Sequence, residues 1–102
     1  IIIMGHQHCG AVIGAIDDVK LGNLTTTLSK IKPAIRMSQN YNGNMTSKNE
    51  EFVKIVSEKK VRHAISTIRS KSPILKEMEE NGEIKIVGLF YTLTKGELIF
   101  VD

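Results

Sequence analysis

The sequence predicts an α/β protein, in which two parallel strands are joined by a helical crossover and an antiparallel hairpin closes the edge of the sheet. A continuously apolar, β-branched run opens the chain at residues 1–4, and two further strand-like segments lie near its end. The long connection between them has helical periodicity and permits parallel pairing. The 102 residues and 41% hydrophobic content suit one core, so we expect a single domain over residues 1–102.

The opening run Ile1-Ile2-Ile3-Met4 has the composition of a parallel strand that is covered on both faces. Gly5 is expected to break this strand. A short buried helix is expected after Gly10, and it should end near Asp17 and Asp18. Because the strand would leave an exposed edge, we also expect a partner or a second copy to cover it.

A second helix is predicted from Asn23, a residue type that caps helices well. Its apolar positions recur at helical spacing: Leu24, Leu28 and Ile31. Pro33 is expected to end or kink this helix, because proline lacks the donor that a helix interior needs. Polar residues then fill positions 36–46, which predicts a loop.

The longest helix is predicted to begin at a capping box formed by Ser47 and Glu50. Its apolar stripe keeps the helical period: Phe52, Val53, Val56, Ala64, Ile65 and Ile68. His63 falls off this stripe and is expected on the solvated surface. Ser72 before Pro73 predicts the start of another helix, since proline is favoured at the first helical position.

Two strands are predicted at the end of the chain. Gly82 stops the preceding helix, and residues 84–93 form an apolar strand. A short turn over residues 94–96 leads into a last strand at residues 98–101. These two strands are expected to pair as the antiparallel hairpin at the edge of the sheet.

The composition argues against several classes of function. The net charge is +3, but the basic residues of the longest helix alternate with glutamates, as on a solvated helix face, so nucleic-acid binding is not expected. The apolar runs are too short or too interrupted to span a membrane bilayer. Cys9 is the only cysteine, which excludes an intramolecular disulfide and leaves a buried thiol or a metal thiolate.

The most informative stretch is Met4-Gly5-His6-Gln7-His8-Cys9-Gly10-Ala11, where the first strand gives way to a helix. Sites in open α/β sheets lie at that carboxyl edge. His6 and Cys9 are three residues apart on the predicted turn, and zinc accepts such nitrogen and sulfur ligands. Gly5 would permit a sharp exit from the strand, and Gly10 a close backbone approach. Spacing alone leaves open a buried structural cysteine beside an ordinary histidine.

Residues 1–11, together with Gly22-Asn23-Leu24 and Ile31-Lys32-Pro33-Ala34, resemble the middle of β-class carbonic anhydrases, whose pattern is an apolar strand followed by Gly-His-x-x-Cys-Gly. A second block resembles the family's final helices and closing hairpin: Val61, Ile65, Ile68, Arg69, Ser72-Pro73-Ile74-Leu75, Ile84-Lys85-Ile86-Val87-Gly88, Tyr91 and Gly96-Glu97. The resemblance runs in order over nearly the whole chain. It implies the carboxyl-terminal part of a β-carbonic anhydrase fold.

The resemblance implies a zinc enzyme for the reversible hydration of carbon dioxide to bicarbonate, in which His6 and Cys9 are two of the three protein ligands. His8 occupies a position that the family varies, so it is expected to face solvent or the edge of a pocket. The family's third ligand is a cysteine in an upstream Cys-x-Asp-x-Arg motif, whose aspartate and arginine pair beside the metal. This chain has no such motif. We therefore expect no catalytic dyad here, weak zinc binding and little hydration by this chain alone.

The resemblance also implies assembly. Family subunits pair as dimers, so we expect a homo-oligomer (a dimer or higher), or completion of the site by an upstream half, present covalently or as a second chain. Because the chain opens within a predicted strand, an upstream part is expected to be missing. The expected compartment is the cytoplasm, with the periplasm as the other compartment that family members occupy.

Two other interpretations stay open. The missing ligand and dyad fit an inactive carbonic-anhydrase-like module that serves structure or dimerisation. His6, His8 and Cys9 could instead form a small metal-handling site by themselves, although such near neighbours rarely satisfy tetrahedral geometry alone.

Overall fold

The computed structural model describes residues 1–101. Its helices and strands follow the order β1 (Ile2–His6), α1 (Gly10–Ile16), α2 (Asn23–Ser29), α3 (Lys32–Arg36), α4 (Glu50–Lys71), α5 (Pro73–Glu80), β2 (Val87–Thr92) and β3 (Glu97–Val101). The strands form one sheet in the order β1-β2-β3. β1 runs parallel to β2, and β3 is antiparallel to β2 at the edge. The predicted α/β class with a closing hairpin is therefore confirmed.

The largest differences from the predicted strand limits are at the end of β1 and at the start of β2. β1 passes through Gly5 and ends at His6, so Gly5 does not break the strand as predicted. β2 begins at Val87, three residues later than predicted. Strand pairing sets both limits. The paired stretch runs from Ile2 opposite Val87 to His6 opposite Tyr91, so β1 extends to His6 and β2 begins at Val87.

Local caps decide where the helices begin. Asn49, rather than the predicted Ser47, is the N-cap of α4, and its side-chain oxygen accepts a hydrogen bond from the Glu51 N–H at 3.2 Å. Pro33 lies in the first turn of α3 and does not end a helix as predicted, because its missing N–H has no helical partner to lose there. Ser72 caps α5 as predicted.

The predicted second helix is in fact two short helices. α2 ends before Ile31, which is the N-cap of α3. Asn23 is the first residue of α2 rather than its cap, a position held by Gly22 with a left-handed φ of 51°. Leu28 and Ile31 are buried, whereas Leu24 is exposed. Only part of the predicted apolar stripe therefore faces the core.

α4 joins two hydrophobic clusters. Its first half contributes Phe52, Val53 and Val56 to a cluster with α1, α2 and α3. Its second half contributes Val61 and Ile65 to a cluster with the sheet. Full burial of each such side chain contributes about 1.5–3 kcal/mol, so this helix holds the two clusters together. No helix within residues 1–101 combines the length and apolar character needed to cross a membrane.

Two glycines let α4 approach the sheet closely. A Cβ atom at Gly88 of β2 would lie 2.7 Å from Val61 Cγ1 and 2.9 Å from the Val101 carbonyl oxygen. A Cβ atom at Gly5 would lie 3.1 Å from Val61 Cγ2. Gly5 therefore serves helix packing rather than a sharp exit from the strand. A Cβ atom at Gly10 would meet nothing within 4 Å, so the close approach predicted there is not seen in residues 1–101.

One face of the sheet is bare. The directly paired residues Met4, Leu89 and Phe100 share this face, while α4 contacts the strands from the other side. Four large apolar side chains of β1 and β3 are more than half exposed there: Ile2, Met4, Leu98 and Phe100. The prediction that the first strand is covered on both faces is therefore wrong for residues 1–101. The radius of gyration is 14.6 Å, above the roughly 13 Å typical of such a length.

Replacing Gly88 with alanine should destabilise the chain. The new methyl group would collide with Val61 and with a backbone oxygen that cannot move aside easily, a cost of about 1–3 kcal/mol in the free energy of unfolding. Urea unfolding followed by circular dichroism measures this loss. Gly10→Ala is the matched control, because its methyl group enters open space at the start of α1. Equal stability of the two variants would contradict the close approach of α4.

Arg69 and Glu79 tie α4 to α5. The guanidinium donates through Nε to Oε1 at 2.8 Å and through Nη2 to Oε2 at 2.7 Å, a side-on pair with two parallel bonds. The hydrogen bonds from Arg69 hold the pKa of Glu79 below its ordinary value of 4.5. The same pair raises the pKa of Arg69.

The contribution of Glu79 to stability should depend on pH. A carboxyl whose pKa is lowered by folding stabilises the protein above its ordinary pKa, and this contribution is lost as pH falls through the folded value. The melting temperature of Glu79→Gln should therefore lie below that of the parent at neutral pH, with the gap closing in acid. Glu80→Gln, at an exposed neighbour in α5, is the control. A gap that persists unchanged below pH 3 would contradict the pairing.

Candidate metal centre

β1 delivers the candidate site residues to the carboxyl edge of the sheet. His6 is the last residue of β1, and Cys9 is the N-cap of α1. Gln7 fixes the turn between them: its N–H donates to the Tyr91 carbonyl at 2.9 Å. Its side-chain Oε1 accepts from the Leu93 N–H at 2.8 Å. The turn is therefore held against the end of β2 and the start of the hairpin.

The His6 ring is oriented by the backbone. Its Nδ1 lies 2.9 Å from the Gln7 carbonyl oxygen. A carbonyl oxygen can only accept, so this hydrogen bond needs a proton on Nδ1, and in the neutral tautomer that carries it the lone pair is on Nε2. The ring is exposed. This is the arrangement in which a histidine is ready to bind a metal through Nε2, with its other nitrogen donating to a fixed acceptor.

The Cys9 thiol forms neither a disulfide nor a capping hydrogen bond. It is half-buried and forms no disulfide. Its carbonyl accepts the Ile13 N–H at 3.0 Å and so begins α1, but its side chain makes no capping hydrogen bond. The Sγ atom is therefore available as a metal ligand.

His6 and Cys9 line one groove of about 340 Å³. Lys60 and Ser57 of α4 also line it, and Ser57 is 2% exposed with an Oγ atom that has no hydrogen-bond partner in residues 1–101. The remaining lining residues are apolar or glycine: Ile3, Met4, Gly5, Val12, Ile31, Val61 and Ala64. The structure thus places the two predicted ligands in one largely apolar groove, which also holds a buried hydroxyl.

The described chain holds too few donors for a complete zinc site. Across residues 1–101, no three side chains of His, Cys, Asp or Glu come together in a cluster that could hold a metal ion. Catalytic zinc sites use three protein ligands and keep one position open. The donor chemistry of His6 and Cys9 fits zinc, but a catalytic site at this edge requires a third donor from elsewhere.

The other two histidines lie apart from this pair. His8 is exposed and lines a separate, small cavity with Glu50 and Lys54. Its φ of 57° is left-handed, which is uncommon for a residue other than glycine and turns the chain between His6 and Cys9. His63 is half-buried on α4, rather than on the solvated surface as predicted, and lines a different groove.

Sequence reasoning missed three residues of the site. Gln7 sits between the two predicted ligands, and an amide at a tight turn could have indicated its anchoring role. Lys60 and Ser57 had no local signal, because they reach the groove only through the packing of α4 on β1.

The fold and the groove define an α/β protein with a histidine–cysteine half-site at the carboxyl edge of a parallel strand. A family model described as carbonic anhydrase matches residues 1–98. The chain belongs to the β-class carbonic anhydrase family. Carbonic anhydrase 2 of Mycobacterium tuberculosis is 25% identical over 107 residues, which cover 100% of this chain and 48% of that protein. The chain therefore spans about half the length of the curated relatives it matches.

Solved structures show the same fold. The β-carbonic anhydrase CafA of Aspergillus fumigatus is 27% identical with a TM-score of 0.78, and the alignment covers 99% of this chain and 47% of that one. A tetrameric β-carbonic anhydrase of Sordaria macrospora is 21% identical with a TM-score of 0.80, and the alignment covers 99% of this chain and 51% of that one. The likeness fits the carboxyl-terminal half of the family's fold.

Loss of either His6 or Cys9 should weaken metal binding far more than a change at His8. We expect Cys9→Ser and His6→Ala to lower Co²⁺ affinity on the order of tenfold or more, since even the loss of a ligand's hydrogen-bond partner costs about 10–100-fold. Titration by absorbance measures this, and the thiolate-to-cobalt band should disappear in Cys9→Ser. His8→Asn is the control, because asparagine tolerates the left-handed backbone. Equal losses in all three variants would instead favour a metal-handling site that uses His8.

Proposed function

We propose that this chain supplies His6 and Cys9 as two zinc ligands of a β-carbonic anhydrase that reversibly hydrates carbon dioxide to bicarbonate. The observation that supports the proposal best is their shared groove at the carboxyl edge of β1, with the His6 tautomer fixed so that Nε2 is free. Membership of the family supplies the reaction class. The chain alone is proposed to be nearly inactive.

Each part of the groove has a role in this proposal. When bound, zinc acts as a Lewis acid that activates water near neutral pH, an effect for which carbonic anhydrases are the standard example. His6 binds through Nε2 while the Gln7 carbonyl holds the ring in place. The apolar walls suit carbon dioxide, which is uncharged. Lys60 places a cation at the groove, where it would favour the bicarbonate anion.

The site is proposed to be completed by protein outside residues 1–101. The third ligand and the Asp-Arg dyad of the Cys-x-Asp-x-Arg motif would come from an upstream segment, in keeping with relatives about twice as long. The bare sheet face around Met4 and Phe100 and the unpaired edge of β1 offer the surface for such a segment. We further propose that the protein is a homo-oligomer, as the Sordaria macrospora relative is a tetramer.

A second candidate function is an inactive module that serves structure or dimerisation. The exposure of Phe100 (71%) and Ile2 (60%) favours it, because an apolar sheet face of this kind marks an interaction surface whether or not a metal is bound. The two candidates differ in one requirement. Only the enzyme needs a Cys-x-Asp-x-Arg motif to reach the groove.

The enzyme hypothesis predicts that activity depends on the upstream half. The chain should be compared with a form that carries the upstream segment with its Cys-x-Asp-x-Arg motif, measuring zinc content and stopped-flow carbon dioxide hydration. The extended protein should bind one zinc per chain and hydrate carbon dioxide, while the shorter chain should show little of either. Cys9→Ser in the extended protein is the control and should abolish both. Stoichiometric zinc without hydration would exclude the enzyme and leave the module.

A further inference from the structure

A second cavity lies at the opposite end of the sheet from His6 and Cys9. It has a volume of about 450 Å³ and is formed by the second half of α4, the start of β2 and the end of β3. Val87 and Gly88 line it, whereas His6 pairs with Tyr91 farther along β2. None of its lining residues belongs to the candidate metal centre.

Arg62 lines this cavity and carries an unmet hydrogen bond. Its Nε atom is buried and has no hydrogen-bond partner within the described chain. A buried donor left without an acceptor costs about 1–3 kcal/mol, and more when the group is charged. The guanidinium stays protonated at any relevant pH, so deprotonation cannot relieve that cost. An acceptor with negative charge would relieve it.

The second arginine of the cavity does not compete for that acceptor. Arg69 is held by Glu79 through two hydrogen bonds, which use its Nε and Nη2 atoms and neutralise its charge. No aspartate or glutamate within residues 1–101 lines the cavity. Ser66, one turn of α4 beyond Arg62, adds a hydroxyl that can donate to the same ligand. The cavity is therefore cationic, with Arg62 as the group that lacks a partner.

The remaining walls are apolar. Ile65, Ile86 and Val101 line the cavity beside Arg62 and Ser66. A strongly hydrated phosphate would lose water against these walls without compensation, whereas an apolar chain would gain from contact with them. The Nε and Nη2 hydrogens of an arginine match the two oxygens of a carboxylate. We propose that this cavity binds a small carboxylate with an apolar body, the carboxylate on Arg62 and the body against Ile65 and Ile86.

The proposal is tested by titrating the full chain with hexanoate, acetate and inorganic phosphate, each followed by NMR chemical shifts of residues 62–69. Hexanoate should bind saturably and at least tenfold more tightly than acetate or phosphate. Arg62→Met should weaken hexanoate binding at least tenfold, and Arg62→Lys should weaken it less. Lys59→Met is the matched control, because it removes a charge from the same helix outside the cavity. Its affinity should equal that of the parent.

Several outcomes would overturn the proposal. If phosphate bound as tightly as hexanoate, the apolar walls would not favour a ligand with an apolar body. An Arg62→Met variant that keeps its fold by circular dichroism and binds hexanoate like the parent would exclude Arg62. A parent chain that binds none of the three probes would also overturn it.

Discussion

The contact of Val61 with two glycines is the constraint on which the rest of the structure depends. Its two methyl groups occupy the space that side chains at Gly5 and Gly88 would need, so α4 lies directly on β1 and β2. This close approach forms the cluster with Ile65 and Phe90, and both Gly5 and Val61 line the groove that holds His6. A larger residue at either glycine would lift the helix from the sheet and change the walls of the groove that holds His6 and of the cavity beside Arg62.

The same packing explains why half of the sheet surface is bare. One helix contacts all three strands from one side, and its apolar residues are used there or in the cluster with α1, α2 and α3. The opposite face keeps β-branched and aromatic side chains of the kind that natural sheets bury. The chain is about half as long as its curated relatives, and its fold matches about half of theirs.

Local signals in the sequence predicted more of this structure than long-range contacts did. The long helix, the Ser72 cap and the closing hairpin follow from residues within a few positions of one another. The predicted start of α4 was wrong because Asn49, and not Ser47, caps the helix. The predicted break at Gly5 was wrong because the glycine makes room for Val61, which lies 56 positions away in the sequence. The spacing of His6 and Cys9 left a structural cysteine open, and it was the resemblance to the β-class family that favoured a pair of metal ligands. Ser57 and Lys60 could not be predicted, because only tertiary packing brings them to the groove.

The two candidate ligands are arranged before any metal is bound. The Gln7 carbonyl fixes the proton on His6 Nδ1, and the Gln7 side chain is itself held by the N–H groups of Leu93 and Thr94 in the hairpin turn. The entropic cost of ordering this turn therefore arises when the chain folds, and metal binding does not add it again. Zinc would then add a bond to a third donor outside residues 1–101. Under the proposed function the hairpin would contribute no ligand, yet it would hold the turn between His6 and Cys9 in place through Gln7.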